Sequence, residues 1–320
     1  MRGVFLDTAT VDRQDLDLTS LTASLPDWSI RRHTPASDVV RAIRDAAVVV
    51  SNKVMLDREV LQATASLKLV CVAATGTNNV DLDAAREQGI TVCNARGYAT
   101  TSVVEHVFSV MLAFYRQSVL YQQAVREGRW HSADVFCLHD YPIHELAGQT
   151  LGIIGHGELG SAVANMARAF GMEILVAQRP GGATRAGRVP MQALLSQADV
   201  VSLHCPLTDA TRNLIGRDEL DSMKNSALLI NTARGGIVNE TALLDALQTG
   251  QIAGAAIDVL TNEPPRAGNP LLEEPVPNLI VTPHIAWAST RARQSLIDQI
   301  AGNVLAFLDG KPRNLVVNNS

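Results

Sequence analysis

Residues 150–177 constrain the fold more than any other stretch of the chain. Thr150, Leu151, Gly152, Ile153 and Ile154 make a short apolar run with branched side chains, the pattern of a strand buried on both faces. The loop Gly155-x-Gly157-x-x-Gly160 follows at once. A helical period then runs through Leu159, Val163, Met166, Ala167 and Phe170 and stops at Gly171, before a second apolar run over Ile174, Leu175, Val176 and Ala177. The segment therefore reads as strand, glycine loop, helix, strand.

Each glycine has a physical reason. Gly155 permits a tight turn, Gly157 lets backbone N–H groups approach a pyrophosphate, and Gly160 lets the helix pack close to the strand. The helix N-terminus, with Glu158 and Leu159 in its first turn, then faces the phosphates of a dinucleotide. No Gly-Lys-Ser/Thr follows, which disfavours a nucleoside-triphosphate loop. An NAD site usually carries an acidic residue about 20 positions after the first glycine, bonded to the ribose. Here the position 178 − 155 = 23 residues on holds Gln178, followed by Arg179. An amide does not repel a 2′-phosphate and a guanidinium pairs with one, so NADP is favoured; the open alternative is NAD, with Gln178 on a 2′-hydroxyl and Arg179 on adenine or in solvent.

The chain has 320 residues, enough for two domains, and its 47% hydrophobic and 18% charged content describes large cores. A net charge of −5 without a long basic run gives no reason to expect nucleic acid or an anionic membrane as partner. No apolar stretch is long enough to span a bilayer, and the start, Met1 to Asp7, reads as a first strand rather than a signal peptide. Cys71, Cys93, Cys137 and Cys205 are scattered without a CxxC pair, so buried reduced thiols, no metal and a cytoplasmic location are expected.

From residue 4 to about 95, short apolar runs at 4–6, 47–50, 69–73 and 90–93 alternate with helical stretches at 36–46, 57–65 and 81–88. This predicts a small doubly wound α/β unit with ligand groups at its strand ends. Those ends carry Ser51, Asn52 and Lys53 after one strand, and Thr75 and Gly76 after another. Lys53 is there either an anion ligand or a solvated loop lysine. A long helix over 101–127 leads out of the unit. The segment 128–146, rich in aromatics and histidine but without a period, is expected to pack against a neighbour or a second subunit. Strands ending near 207, 236, 259 and 284 alternate with helices after the glycine loop, and an amphipathic helix with a final segment over 288–318 is expected to complete the first domain. The expected domains are thus 1–100 with 288–320, and 101–287.

Arg234, Glu263 and His284 each lie just past a strand end on the crevice side. Hydride transfer at a carbon bearing oxygen needs a proton donor or acceptor on that oxygen, which histidine supplies near neutral pH. A carboxylate on the other imidazole nitrogen would fix the tautomer and favour the protonated acid, and Glu263 is the candidate. A guanidinium can hold a substrate carboxylate by two bonds and polarise the adjacent carbonyl, which suits Arg234. Taken singly, Arg234 could instead bind a cofactor phosphate, Glu263 be a solvated loop residue and His284 a structural cap.

Four ordered motifs resemble the D-2-hydroxyacid dehydrogenase family: the glycine loop, Thr232 to Gly236, Asp258-Val259 followed by Asn262-Glu263-Pro264, and Thr282 to Ala286. The likeness extends to Asn79-Val80-Asp81, Gly89-Ile90 and Val104-Glu105-His106, nearly the whole chain. It implies a Rossmann dinucleotide-binding domain inserted into a discontinuous flavodoxin-like substrate domain. It also implies Arg234 on the substrate carboxylate, Glu263 paired with the acid/base His284, and Asp258 on the nicotinamide carboxamide. Thr75 and Gly76 match its second carboxylate contact; His204, Cys205, Pro206, Thr232 and Ala233 match cofactor-lining loops. Ala73 to Thr77, Ser51 to Val54, His139 to Pro142 and His284 to Ser289 look like the glycerate dehydrogenase or hydroxypyruvate reductase branch. Formate dehydrogenases pair their histidine with glutamine, unlike Glu263, and no regulatory domain of the kind many phosphoglycerate dehydrogenases carry is expected after residue 320. The resemblance implies a small 2-oxo or 2-hydroxy acid as substrate, NADP or NAD as cofactor and a homodimer. The alternatives are another D-2-hydroxyacid specificity, such as lactate or phosphoglycerate, or a cofactor-binding scaffold like the corepressors that share this fold. Lys53 and Trp287 are candidate walls of the substrate pocket.

Overall fold

Five short strands nearest the N-terminus assemble into one parallel array. The computed structural model describes residues 1–317 apart from 180, 183, 184, 274 and 277. The chain divides into two compact units, 1–99 together with the chain from 287 onward, and 100–286. In the first, β1 (Arg2–Phe5), β2 (Asp27–Ile30), β3 (Val48–Ser51), β4 (Leu69–Val72) and β5 (Thr91–Cys93) pair in parallel in the order β5-β4-β3-β1-β2. β3 and β4 are buried along their length, with Val49 and Val70 packed on one face and Val48, Val50 and Leu69 on the other. Branched side chains suit the pleat, and each one fully buried contributes about 1.5–3 kcal/mol. The strand order reverses at β1 and β3, so a crevice opens at their carboxyl ends.

β2 is an addition to the sequence reading. Asp27, Trp28, Ser29 and Ile30 sit at the sheet edge, half-buried or exposed, and a single apolar face of this length gives no continuous apolar run.

The second unit contains β6 (Thr150–Ile154), β7 (Glu173–Val176), β8 (Val200–Leu203), β9 (Leu228–Asn231), β10 (Gly254–Ile257) and β11 (Leu279–Val281), all parallel, in the order β11-β10-β9-β8-β6-β7. Beyond β7 a single bridge joins Ala177 to Val189: Val189 N donates to Val176 O at 2.9 Å and Gln178 N to Val189 O at 2.8 Å. Counted as a strand one residue long, Val189 gives the third-second-first-fourth order of a Rossmann sheet. The switch point lies between β6 and β8.

The helix expected over 101–127 is two helices, Thr100–Tyr115 and Ser118–Arg126, parted by Gln117 in the left-handed region at φ 50°. No glycine or proline marks the break, so the apolar period reads straight through it. Phe108 on the first of these stacks on Phe170, ring centroids 5.0 Å apart, which sets that helix beside Glu158–Ala169.

The chain then returns to the first unit. The helix Thr290–Leu308 places Leu296, Ile297, Ile300 and Val304 against Val48, Val50, Leu69 and Cys71, covering one face of the sheet. β12 (Leu315–Val317) adds beside β5 and is antiparallel, so the first sheet is parallel except at this edge. Among the described residues no helix is long and apolar enough to cross a membrane.

Candidate active site

The glycine loop turns at the carboxyl end of β6. Gly155 has φ 98°, and a Cβ on it would stand 2.5 Å from Cys205 N and 2.6 Å from the carbonyl carbon of His204. The loops after β6 and β8 therefore meet at the switch point only because this residue has no side chain. A Cβ at Gly160 would lie 2.1 Å from Gly155 O, the close helix–strand approach the spacing predicts. A Cβ at Gly157 would meet nothing within 4 Å. That open space fronts the first-turn N–H groups of helix Glu158–Ala169, with Gly157 as its N-cap and no side-chain cap bond among the described residues. Leu159 is half-buried, and the exposed Glu158 accepts a bond from the Thr100 hydroxyl at 2.5 Å.

Two buried polar atoms on the same sheet edge lack protein partners among the described residues, His204 Nδ1 after β8 and Thr232 Oγ1 after β9. An unmet buried polar group costs about 1–3 kcal/mol, so each is a place for a ligand to complete. His204 Nε2 lies 2.9 Å from Ser202 Oγ, and burial pushes its pKa down to about 4, so the ring is neutral at ordinary pH. Burial likewise raises the Cys205 thiol. Pro206 O accepts from Thr211 Oγ1 at 2.7 Å, and Ala233 N donates to Asn231 Oδ1 at 3.1 Å. The open Gly157 cradle and the two unmet atoms fit a dinucleotide. At the end of β7, Gln178 Nε2 donates to Gly182 O at 3.1 Å, and Arg179 is exposed.

The three residues assigned to chemistry come from loops after β9, β10 and β11. His284 Nδ1 lies 2.6 Å from Glu263 Oε2. An ionised carboxylate only accepts, so Nδ1 carries the hydrogen in this pair. Glu263 Oε1 accepts from Leu260 N at 2.8 Å, which fixes the carboxylate, and the Glu263–Pro264 peptide is cis. The side chains of His284 and Glu263 are 28% and 33% exposed, open enough to meet a substrate and dry enough to hold their pairing. Arg234 is half-buried; its Nη1 donates to Ala233 O at 2.7 Å, and its own carbonyl accepts from Asn231 Nδ2 at 3.0 Å. A Cβ on Gly235 would be 1.9 Å from Leu260 O, so the arginine loop packs directly on the residue that holds Glu263.

Asp258 stands where the resemblance puts a carboxamide contact, and its carboxylate is already engaged. Oδ1 accepts from Thr282 Oγ1 at 2.6 Å and Ile285 N at 2.9 Å; Oδ2 accepts from Ala286 N at 2.9 Å. His284 N donates to Asp258 O at 2.8 Å. His284 itself has φ 55°, a strained conformation for a residue with a side chain. Helix Thr100–Tyr115 braces the same loop: His106 Nε2 lies 3.2 Å from Thr282 Oγ1, and Ser102 Oγ donates to Ala286 O at 2.7 Å. Asp258, Thr282 and Asn231 are thus supports of the site. The sequence assigns Thr282 and Asn231 no role of their own, because a loop-tying role leaves no spacing signature.

In the first unit Lys53 follows β3 and is exposed, while Thr75, exposed, and Gly76, half-buried, follow β4. Thr75 O accepts from Asn94 Nδ2 at 2.8 Å. A further residue orders this edge: Asp7, 2% exposed, accepts from the backbone N–H groups of Asn52, Lys53 and Val54 at 2.9, 2.6 and 3.2 Å.

The segment 128–146 has no helix or strand. It is tied locally by Arg129 to Asp140 at 2.7 Å and by Trp130 Nε1 to Phe136 O at 2.9 Å. It leaves Phe136 90% and Val135 62% exposed.

A family model described as D-isomer specific 2-hydroxyacid dehydrogenase, NAD binding domain, matches residues 108–286. A glycerate dehydrogenase of Methylorubrum extorquens is 47% identical over 308 residues, 96% of this chain and 97% of its own. A hydroxypyruvate reductase of Blautia hydrogenotrophica is 37% identical over 99% of both chains. Among solved structures, an NADPH-dependent glyoxylate/hydroxypyruvate reductase of Sinorhizobium meliloti, in complex with NADP and malonate, superposes with a TM-score of 0.81 at 28% identity, covering 99% of this chain and 96% of that one.

Proposed function

Since the chain belongs to the D-isomer specific 2-hydroxyacid dehydrogenases, we propose that it reduces hydroxypyruvate or glyoxylate, reversibly, to the D-2-hydroxy acid with NADPH or NADH. The observation that carries the chemistry is the 2.6 Å bond between His284 Nδ1 and Glu263 Oε2, in which the carboxylate fixes the imidazole tautomer for proton transfer at Nε2.

The Gly155–Gly160 loop, His204 and Thr232 hold the dinucleotide. When bound, the nicotinamide supplies or accepts the hydride. Arg234 grips the substrate carboxylate through two charge-assisted bonds and polarises the adjacent carbonyl. In the first unit, Thr75 and Gly76 offer backbone N–H groups, and Lys53 a cation, to an anionic group. His284 donates the Nε2 proton to the carbonyl oxygen in reduction and takes it back in oxidation, while Glu263 keeps the imidazole in its tautomer.

Gln178 and the exposed Arg179 support a preference for NADP, because neither repels a 2′-phosphate and a guanidinium pairs with one. The exposed apolar side chains of segment 128–146 support a homodimer built on it. Initial rates with hydroxypyruvate, glyoxylate and pyruvate, each with NADPH and with NADH, test the reading. Fast hydroxypyruvate reduction supports it, and the ratio between cofactors decides what Gln178 and Arg179 do. Cofactor binding without turnover of any acid would favour the corepressor-like scaffold instead. Light scattering of the purified protein tests the dimer.

A further inference from the structure

In an open sheet of this strand order, ligands bind at the carboxyl ends of the strands that flank the switch point. In the first unit those strands are β1 and β3, and the position is filled by the protein itself. Asp7, two residues past β1, sends its carboxylate to three consecutive N–H groups at the end of β3: Oδ1 to Asn52 N, and Oδ2 to Lys53 N and Val54 N. Successive N–H groups converging on one point make an anion nest, and Asp7 is its resident anion. The arrangement is tied further. Asn52 Nδ2 donates to Thr10 Oγ1 at 2.9 Å, and that hydroxyl donates to Asp7 O at 2.6 Å. Asn79 Nδ2 donates to Ser51 Oγ at 3.2 Å and Val54 O at 3.1 Å on the loop's other side.

Asp7, Asn52 and Ser51 are all buried, whereas Lys53 in their midst is exposed. Three amides held by one carboxylate fix the backbone from which the Lys53 side chain departs. We propose that Asp7 is a positioning residue that sets the Lys53 loop for binding of the substrate anion. This rests on the reading of Lys53 as a substrate-side cation.

The test exploits the chemistry of the nest. Asp7→Ala removes one carboxylate and leaves space and three N–H donors that formate can fill. In this variant the KM for hydroxypyruvate rises about tenfold, while the Kd of NADPH, read by its fluorescence, stays at the wild-type value. Added formate restores the KM and does not lower that of the wild type. In a Lys53→Met background the same substitution adds little, since both act through one group. An unchanged KM in Asp7→Ala, a KM increase that formate does not reverse, or full additivity with Lys53→Met would each overturn the proposal. Asp7→Asn is measured alongside and keeps the side-chain volume: it raises KM without formate rescue, because its amide still fills the nest. Should Asp7→Ala not fold, Asp7→Asn decides by its KM and its additivity with Lys53→Met. Wild-type turnover of 2-oxo acids decides the underlying reading separately, since it involves no variant.

Discussion

Asp258 holds His284 from both flanks. Its carboxylate takes the Thr282 hydroxyl two residues before the histidine and the N–H groups of Ile285 and Ala286 after it, while its carbonyl takes the N–H of His284 itself. A histidine at φ 55° is held against its own preference by this clamp. The geometry of His284 is therefore set from the end of the neighbouring strand.

The first prediction concerns the clamp. Asp258→Asn puts an amide N–H against backbone N–H groups and should cost about 1–3 kcal/mol of stability. Turnover should fall at least as much as stability does, because the histidine is released from its left-handed conformation. Urea unfolding and kcat, measured on the same preparation, check this; full kcat with the expected stability loss would separate the clamp from the chemistry.

The proton donor and its partner should respond differently. His284→Gln removes the acid and should lower kcat by about 10²–10⁴-fold with cofactor binding intact. Glu263→Gln keeps the imidazole but frees its tautomer, so a smaller loss of kcat is expected, with little change in KM. Steady-state rates and NADPH fluorescence titration distinguish the two.

Gly157 and Gly160 make a contrasting pair. Gly160→Ala forces a Cβ to within 2.1 Å of Gly155 O and should lower Tm as well as cofactor affinity. Gly157→Ala meets nothing within 4 Å among the described residues, so it should leave Tm unchanged while weakening NAD(P)H binding, because the Cβ then occupies the phosphate cradle. Thermal melts with and without NADPH read both effects.

Two of the groups that shape acid stability are Asp15 and His204. Arg293, through bonds of 2.8 and 2.7 Å, holds the Asp15 carboxyl well below the usual carboxylate range. A lowered folded-state pKa stabilises above the unfolded value of about 4 and loses that contribution as pH falls below it. His204, lowered to about 4 from an ordinary 6.5, makes the unfolded chain the better proton acceptor between those values, so stability rises with pH across that window. Asp15→Asn should flatten the Tm profile below pH 4, and His204→Asn the profile between 4 and 6.5.

The residues to which binding or chemistry is assigned stand out in the sequence because each closes an apolar run with a residue that chemistry needs. Gly155, Arg234 and His284 are of this kind. The supports were not legible for a different reason. Asp7 reads as the polar end of a strand, and only the fold brings it to amides 45 to 47 residues away. Asp258 was noticed, but the three donors it accepts come from a loop 24 to 28 residues later, so its structural task was hidden. β2 lacks a continuous apolar run because it is an edge, and the strand at Val189 is too short to have a period. The break at Gln117 needs a left-handed residue without the glycine that usually announces one.

The first sheet is finished by the last part of the chain. Helix Thr290–Leu308 covers one of its faces, and β12 closes its edge. During synthesis, residues 1–99 emerge with that face bare, while every strand of the second unit is already made before residue 287 leaves the ribosome. The inserted unit can settle on its own, whereas the N-terminal one has to wait. Truncating the chain before Thr290 would therefore leave a nucleotide-binding half that folds and an N-terminal half whose apolar surface draws chaperones or aggregates.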